Sequence, residues 1–303
     1  MRRSRLPNCC LLATLLVFLA AQPLAADSPI RSQEGQSVVA VAQGGGEYWV
    51  KDWNGFLARV REKANSYTNE LPDFICTQTV RRYATLNTDD MRILDEIVAE
   101  VTFFEKKERH KVLSVGNRSQ LEGTEVSFGM TSIGEFGTSL AHLFDPSVKA
   151  AFKFSGINSI HGRKTVCIKF AVSEGTSRKV ISIGEESVAV AYRGQLWVDP
   201  DSYQVIRLHS AAVRIPETFP ITRSESMTDY DLVDIAGRQY WLPVSATVRM
   251  VAENGGHRKG RDLYRSVLRE STPPDHFIAR VESKNLITYS KYRKFESRVK
   301  ITY

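Results

Sequence analysis

Cysteine is scarce in this chain, with four in 303 residues. No two of them beyond the N-terminus have the close spacing of a zinc site, which excludes a structural zinc module. H-E-x-x-H, G-x-S-x-G, a P-loop and a dinucleotide fingerprint are all missing, so the enzyme classes that these motifs mark are not indicated. No run of about 20 apolar residues occurs, and a bilayer-crossing helix needs one. No unit of fixed length repeats. Charge of one sign is also lacking. The formal net charge is +7, and it falls to +4 without the first 26 residues, which hold three arginines and no acids. A balance that slight lacks the concentrated basic footprint of a nucleic-acid-binding protein.

What the N-terminus does contain is an export signal. Arg2, Arg3 and Arg5 precede an apolar run over residues 11–21, and the small residues Ala25 and Ala26 follow it. This order of charged, apolar and small residues predicts a cleaved secretory leader, residues 1–26, and a mature chain that begins at Asp27. A lipoprotein leader carries its cysteine after the apolar run, whereas Cys9 and Cys10 lie before it. Residues 27–46, rich in Ser, Gln and Gly, read as a flexible tether, and residues 47–303 as one domain. In an oxidising compartment Cys76 and Cys167 are a possible disulfide pair, a question that their positions leave open.

Apolar periodicity sets the expected elements. Trp53, Phe56, Leu57, Val60, Ala64 and Tyr67 form one stripe of 3.6-residue period, with Asp52 as N-cap and Leu71-Pro72 as the stop. From Phe74 onward the period is two. Ile97 to Phe103, Val166 to Val172, Val188 to Val198 and Val244 to Met250 alternate in this way, as antiparallel strands with one buried face do. Asp199-Pro200-Asp201-Ser202 predicts a hairpin turn, and Asn254-Gly255-Gly256 ends a strand ahead of a basic loop near Arg258. A second helix is expected at residues 133–144. Its signals are the capping box at residues 132–135, an apolar stripe with Phe136, Leu140 and Phe144, and a stop at Asp145-Pro146. Gly134 and Gly137 weaken that helix by about 1 kcal/mol each relative to Ala.

The candidate chemistry is thin. Glu135, Ser139 and His142 share a helix face, but nothing nearby supplies an oriented base and an oxyanion hole. Asp199-x-Asp201 lacks the glycine and terminal glutamate of a calcium loop and reads as a turn. Arg81-Arg82-Tyr83 and Lys291-Tyr292-Arg293-Lys294-Phe295 mix basic and aromatic residues, a pattern of solvated strand faces and, less often, of contact with anionic headgroups. No catalytic residue, metal or cofactor is expected.

Residues 192–200 (Tyr-Arg-Gly-Gln-Leu-Trp-Val-Asp-Pro), followed by Tyr203-Gln204-Val205-Ile206-Arg207, resemble a hairpin of the lipoprotein-carrier superfamily. That group includes the periplasmic lipoprotein carrier, its outer-membrane receptor and the sensor domain of a periplasmic anti-sigma regulator. Residues 71–78, Arg82-Tyr83, 134–137 and 292–295 are similar to exported bacterial proteins of like length. The resemblance runs from Trp53 to Tyr303, although the chain is longer than a simple carrier. It implies a mainly β (α+β) fold, a half-open antiparallel β-barrel with an N-terminal helix and an internal covering helix.

The expected function is non-enzymatic binding of an apolar ligand, a lipid or a lipidated protein, in the periplasm or cell envelope. Phe136, Leu140 and Phe144 would form a lid over a cavity lined by Val190, Tyr192, Val244 and Val248. A membrane surface is a further candidate partner, and nucleic acid is not. An integral outer-membrane β-barrel is the main alternative, suggested by the alternation of Phe295, Ser297, Val299, Ile301 and Tyr303. An exported hydrolase ranks third.

Overall fold

The stripe on the first helix does what its period dictates. Helix α1 (Trp53–Glu70) is capped by Asp52, whose side chain accepts a hydrogen bond from the Gly55 amide, and it buries Val60, Ala64 and Tyr67. Trp53, Phe56 and Leu57 pack at the edge of the same cluster. The chain then turns extended at Leu71, as a residue before proline prefers. A computed structural model describes residues 52–86, 91–116, 118–119, 136, 138–183, 186–253 and 280–295. Outside them lie the leader, the tether, the capping box, the loop near Arg258 and the alternation beyond Phe295.

Strands β1 (Phe74–Leu86), β2 (Arg92–Phe104), β3 (Lys107–Val115) and β4 (Arg118–Ser119) follow α1. Helix α2 (Thr138–Phe144) leads into β5 (Ala151–Ile160) and β6 (Arg163–Val172). A small hairpin, β7 (Val180–Ile183) and β8 (Glu186–Ala189), precedes β9 (Ala191–Val198) and β10 (Val205–Val213). Long strands complete the order: β11 (Ile221–Ile235), β12 (Arg238–Glu253) and β13 (Arg280–Lys294).

Among the described residues, eleven strands form one sheet in the order β4-β3-β2-β1-β13-β12-β11-β10-β9-β6-β5, and β7 pairs with β8 alone. The two ends of the sheet do not meet, so it is a half-open barrel and not a closed one. Among the described residues no helix is long and apolar enough to cross a membrane.

Two expectations need amending, and the open question of the cysteines is answered. The second helix is shorter than its stripe suggests, because α2 starts at Thr138 and Phe136 sits in a turn before it. A glycine stands on either side of that turn residue, two positions before and one after, and glycine is among the poorest helix formers. The run from Val188 to Val198 is not one strand: Val188 lies in β8, Val190 in a connection and Tyr192 in β9. Cys76 and Cys167 are free and buried.

No bridge can form between these cysteines without remaking the sheet. Cys76 belongs to the apolar cluster on one face, whereas Cys167 alternates with Val166 and Ile168 of the cluster under the helices, so it points away from them. Burial pushes the Cys76 thiol up to about 12 and also raises that of Cys167. Both thiols are therefore expected to resist alkylation in the folded protein and to take one label each after unfolding without reductant. Peptide mapping that finds Cys76 and Cys167 in one fragment under those conditions would refute this arrangement.

Candidate functional site

The register aligns apolar residues across the sheet. Phe154, Ile168, Leu196 and Leu208 stand opposite one another on β5, β6, β9 and β10. The row continues through Thr228, Ala246, Ile287, Val80 and Ile97 as far as β2. Directly paired residues share a face, so this row crosses one face of the half-barrel, the inner one. Ile168, Leu196 and Leu208 pack there against Val60, Ala64 and Tyr67 of α1 and Leu140, Leu143 and Phe144 of α2.

One step along the strands, the same face changes character. Phe152 and Phe170 begin the next row, and Gly194, Ser210, Ser226, Val248, Asn285, Arg82 and Asp95 carry it onward. Ser210, Asn285 and Arg82 are buried. The Arg82 guanidinium donates to both Asp95 oxygens, at 2.7 and 2.6 Å, and so meets the requirement that a buried charge be paired. The inner face is thus aromatic and aliphatic under the helices and polar beyond them.

Lys179 reaches this boundary from the segment ahead of β7. Its Nζ donates to Ser210 Oγ at 2.8 Å and lies 5.6 Å from the centroid of the Tyr192 ring. Burial pushes its pKa down to about 8. Its neighbour Arg178 ties the same segment to the exit of α2, through Asp145 Oδ2 at 3.0 Å and Ser147 Oγ at 2.9 Å.

The residues expected to form lid and cavity are distributed over this face. Phe136, Leu140 and Phe144 are all buried. Leu140 and Phe144 join Tyr192 in the cluster under the helices, and Phe144 stacks on Phe152 at 5.0 Å. Phe136 joins Val248 in a second cluster, where its ring meets Phe74 at 5.3 Å and Tyr289 at 5.2 Å. Val190 falls in a third cluster with Ile181 and Phe219, and Val244 is only half-buried. Lys179, Ser210, Asn285 and the pair Arg82–Asp95 escaped the sequence reading. Strand parity carries a signal for Arg82, which shares the face of Val80 and Ala84. No local pattern marks Lys179, because its burial comes from strands distant in the chain.

A separate recess of about 530 Å³ is lined by His209, Glu225, Met227, Thr247, Arg249, Glu282 and Lys284, with Thr85, Met91 and Ser226. His209, Met227 and Thr247 are paired across β10, β11 and β12 and alternate with Leu208, Thr228 and Ala246, so the recess lies on the outer face. Its charges are matched: Arg249 pairs with Glu282 and Glu225. Burial lowers the pKa of His209 first of all; Glu225 opposes this, while Lys179 and Arg223 add to it. The residue types of a hydrolase are present, but Ser226 registers with Ser210 and His209 with Met227, which sends the serine and the imidazole to opposite faces. A base cannot activate a hydroxyl from there.

The other candidates resolve into structure. Ser139 is exposed, and Glu135 lies outside the described residues. Asp199 Oδ1 accepts from the Asp201 and Ser202 amides, which makes it a turn. Among the described residues no group of three His, Cys, Asp or Glu is placed to hold a metal. Three arginines of the basic clusters pair with acids: Arg81 with Glu96 and Arg82 with Asp95 on the neighbouring strand, and Arg293 with Glu100, one strand further on.

Comparison with solved structures finds the following likenesses. A LolA superfamily protein from Nitrosomonas europaea is 10% identical, with a TM-score of 0.31, over 80% of this chain and 94% of its own. A DUF1329 family protein from Desulfovibrio piger is also 10% identical, with a TM-score of 0.33, over 79% of this chain and 92% of its own. A domain described as an outer-membrane lipoprotein-sorting protein, from Vibrio parahaemolyticus, is 8% identical with a TM-score of 0.33, over 78% and 90%. The chain is similar to these proteins. No family model and no curated protein matches it.

Proposed function

We propose that this is an exported, non-enzymatic envelope protein that binds an apolar ligand on the inner face of its half-barrel. The ligand is a lipid, or the acyl chains of a lipidated protein. One observation carries the reading: the apolar inner row is covered by helices and not by a second sheet, and one of those helices, α2, has only seven residues. A helix that short has no stability of its own, so packing alone holds it. Uncovering Leu140, Leu143 and Phe144 costs about 1.5–3 kcal/mol each. An acyl chain gains about 0.8 kcal/mol per buried CH₂, so a dozen methylenes bring on the order of 10 kcal/mol. The two sums are comparable, so α2 can lift and a chain can enter beneath it, with the apolar side of the helix then covering the chain.

The rest of the cover also carries a weakness. Tyr67 Oη, on the buried side of α1, has no hydrogen-bond partner among the described residues, an omission worth about 1–3 kcal/mol. In this reading Phe136, Leu140 and Phe144 are the lid, and Val190, Tyr192, Val244 and Val248 border the space that opens. An integral barrel requires closure, and the open sheet does not favour it.

Titration of delipidated protein with a fluorescent fatty acid tests the reading. Saturable uptake that oleate displaces is expected, and no saturable uptake would end it. Export is tested separately by N-terminal sequencing of envelope-fraction protein, which is expected to begin at Asp27. A chain from that fraction that retains Met1 would reject the cleaved leader.

A further inference from the structure

Several buried or half-buried arginines in this fold have acids beside them. Arg82 has Asp95, Arg207 has Asp229 and Arg249 has Glu282. Lys179 differs from these three. Its ammonium has a hydroxyl, Ser210 Oγ, and an aromatic face, Tyr192, and no described carboxylate pairs with it. Asp145, which meets the same segment, is engaged by Arg178. An ammonium has three donors, and removal from water without a counter-charge is costly. Burial pushes the Lys179 pKa down to about 8. Tyr192, pushed up to about 12 by burial, stays neutral.

The place of this cation on the sheet is as informative as its lack of an acid. Ser210 lies two residues along β10 from Leu208, on the same face, and so one row from the apolar residues under the helices. Two residues of strand span about 7 Å. A chain whose head is held at Lys179 is therefore within reach of Leu196 and Leu208. We infer that Lys179, with Ser210 and Tyr192, receives the anionic head group of an acyl-chain amphiphile, a carboxylate or a phosphate, whose chain lies on the apolar row. This rests on the proposed apolar-ligand reading and names the chemical class of that ligand. A head group there supplies the missing counter-charge through a charge-assisted hydrogen bond.

The test compares oleate, oleyl alcohol and inorganic phosphate on delipidated wild type and on Lys179→Met, by calorimetric titration and thermal melting. Wild type is expected to bind oleate at least tenfold more tightly than oleyl alcohol and to bind phosphate weakly. Lys179→Met should bring oleate to the level of the alcohol and leave the alcohol unchanged. Without ligand, Lys179→Met should melt at a higher temperature than wild type, since it removes a half-buried charge that no described acid balances. Residues kept for binding at a cost in stability behave in this way. A variant that melts lower than wild type would show Lys179 to be structural and overturn the inference. Equal binding of oleate and oleyl alcohol to wild type would overturn it while leaving the apolar-ligand reading intact. Phosphate binding as tight as that of oleate would overturn the amphiphile assignment. Failure of both chain ligands to bind wild type would remove the proposed function and this inference together.

Discussion

Gly194→Ala is expected to lower the melting temperature by about 6–12 °C. Gly194 sits in β9 between β6 and β10, opposite Phe170 on one side and Ser210 on the other. A Cβ there would lie 1.9 Å from the His209 carbonyl oxygen and 2.6 Å from Phe170 Cζ. The first obstacle is backbone and cannot rotate away. The β9–β10 ladder must spread, or Phe170 must leave its edge-on contact with Tyr192, at 6.0 Å. Overpacking of this kind costs about 1–3 kcal/mol, and the backbone clash puts this case at the top of that range. For a domain of this size each kcal/mol moves the midpoint by about 2–4 °C. Gly175→Ala is the control, because a Cβ at that position meets nothing within 4 Å, and its midpoint should stay within about 2 °C. Equal midpoints for the two variants would mean that β9 and β10 do not approach as described.

Leu140→Asp is expected to abolish fatty-acid uptake while the sheet stays folded. Leu140 is 2% exposed, and a carboxylate in its place cannot be paired where it lies. Undocking α2 is the least costly escape, since its seven residues bring only Leu140, Leu143 and Phe144 to the cluster. The ladders from β9 to β2 and the Arg82–Asp95 pair do not depend on α2. Far-ultraviolet circular dichroism should therefore keep its β signal, and the affinity for a fluorescent fatty acid should fall at least tenfold. In an ordinary closed core, Leu140→Ala alone costs about 2–5 kcal/mol, and the aspartate would unfold the domain. Global unfolding of Leu140→Asp would show α2 to be core and not a lid.

The sequence carried the strands and α1 because their periods are set by one strong rule, burial of a single face. Asp52 and Leu71-Pro72 bracket α1 where the cap and the proline require, and Asp199 makes the hairpin turn between β9 and β10. The second helix was overextended because Phe136, Leu140 and Phe144 keep a helical spacing although Phe136 is in a turn. Spacing records which residues are buried, and not always what path the backbone takes to bury them. Strand pairing was not legible, since β1 joins β13 across nearly the whole chain and no local pattern specifies so distant a partner. The polar half of the inner face stayed hidden for the same reason. Ser210, Asn285 and Arg82 become one row only once the register sets them side by side.

The central claim is that the inner face of the half-barrel holds a chain-bearing amphiphile in the envelope. Native mass spectrometry of protein purified under mild conditions from its own envelope tests it most directly. The expected spectrum contains the mature chain together with discrete higher masses that match lipid, and organic extraction followed by refolding should remove them. Release of the added masses should yield acyl chains with anionic head groups. A spectrum showing only the bare mature chain, at every collision energy that leaves the fold intact, would contradict it.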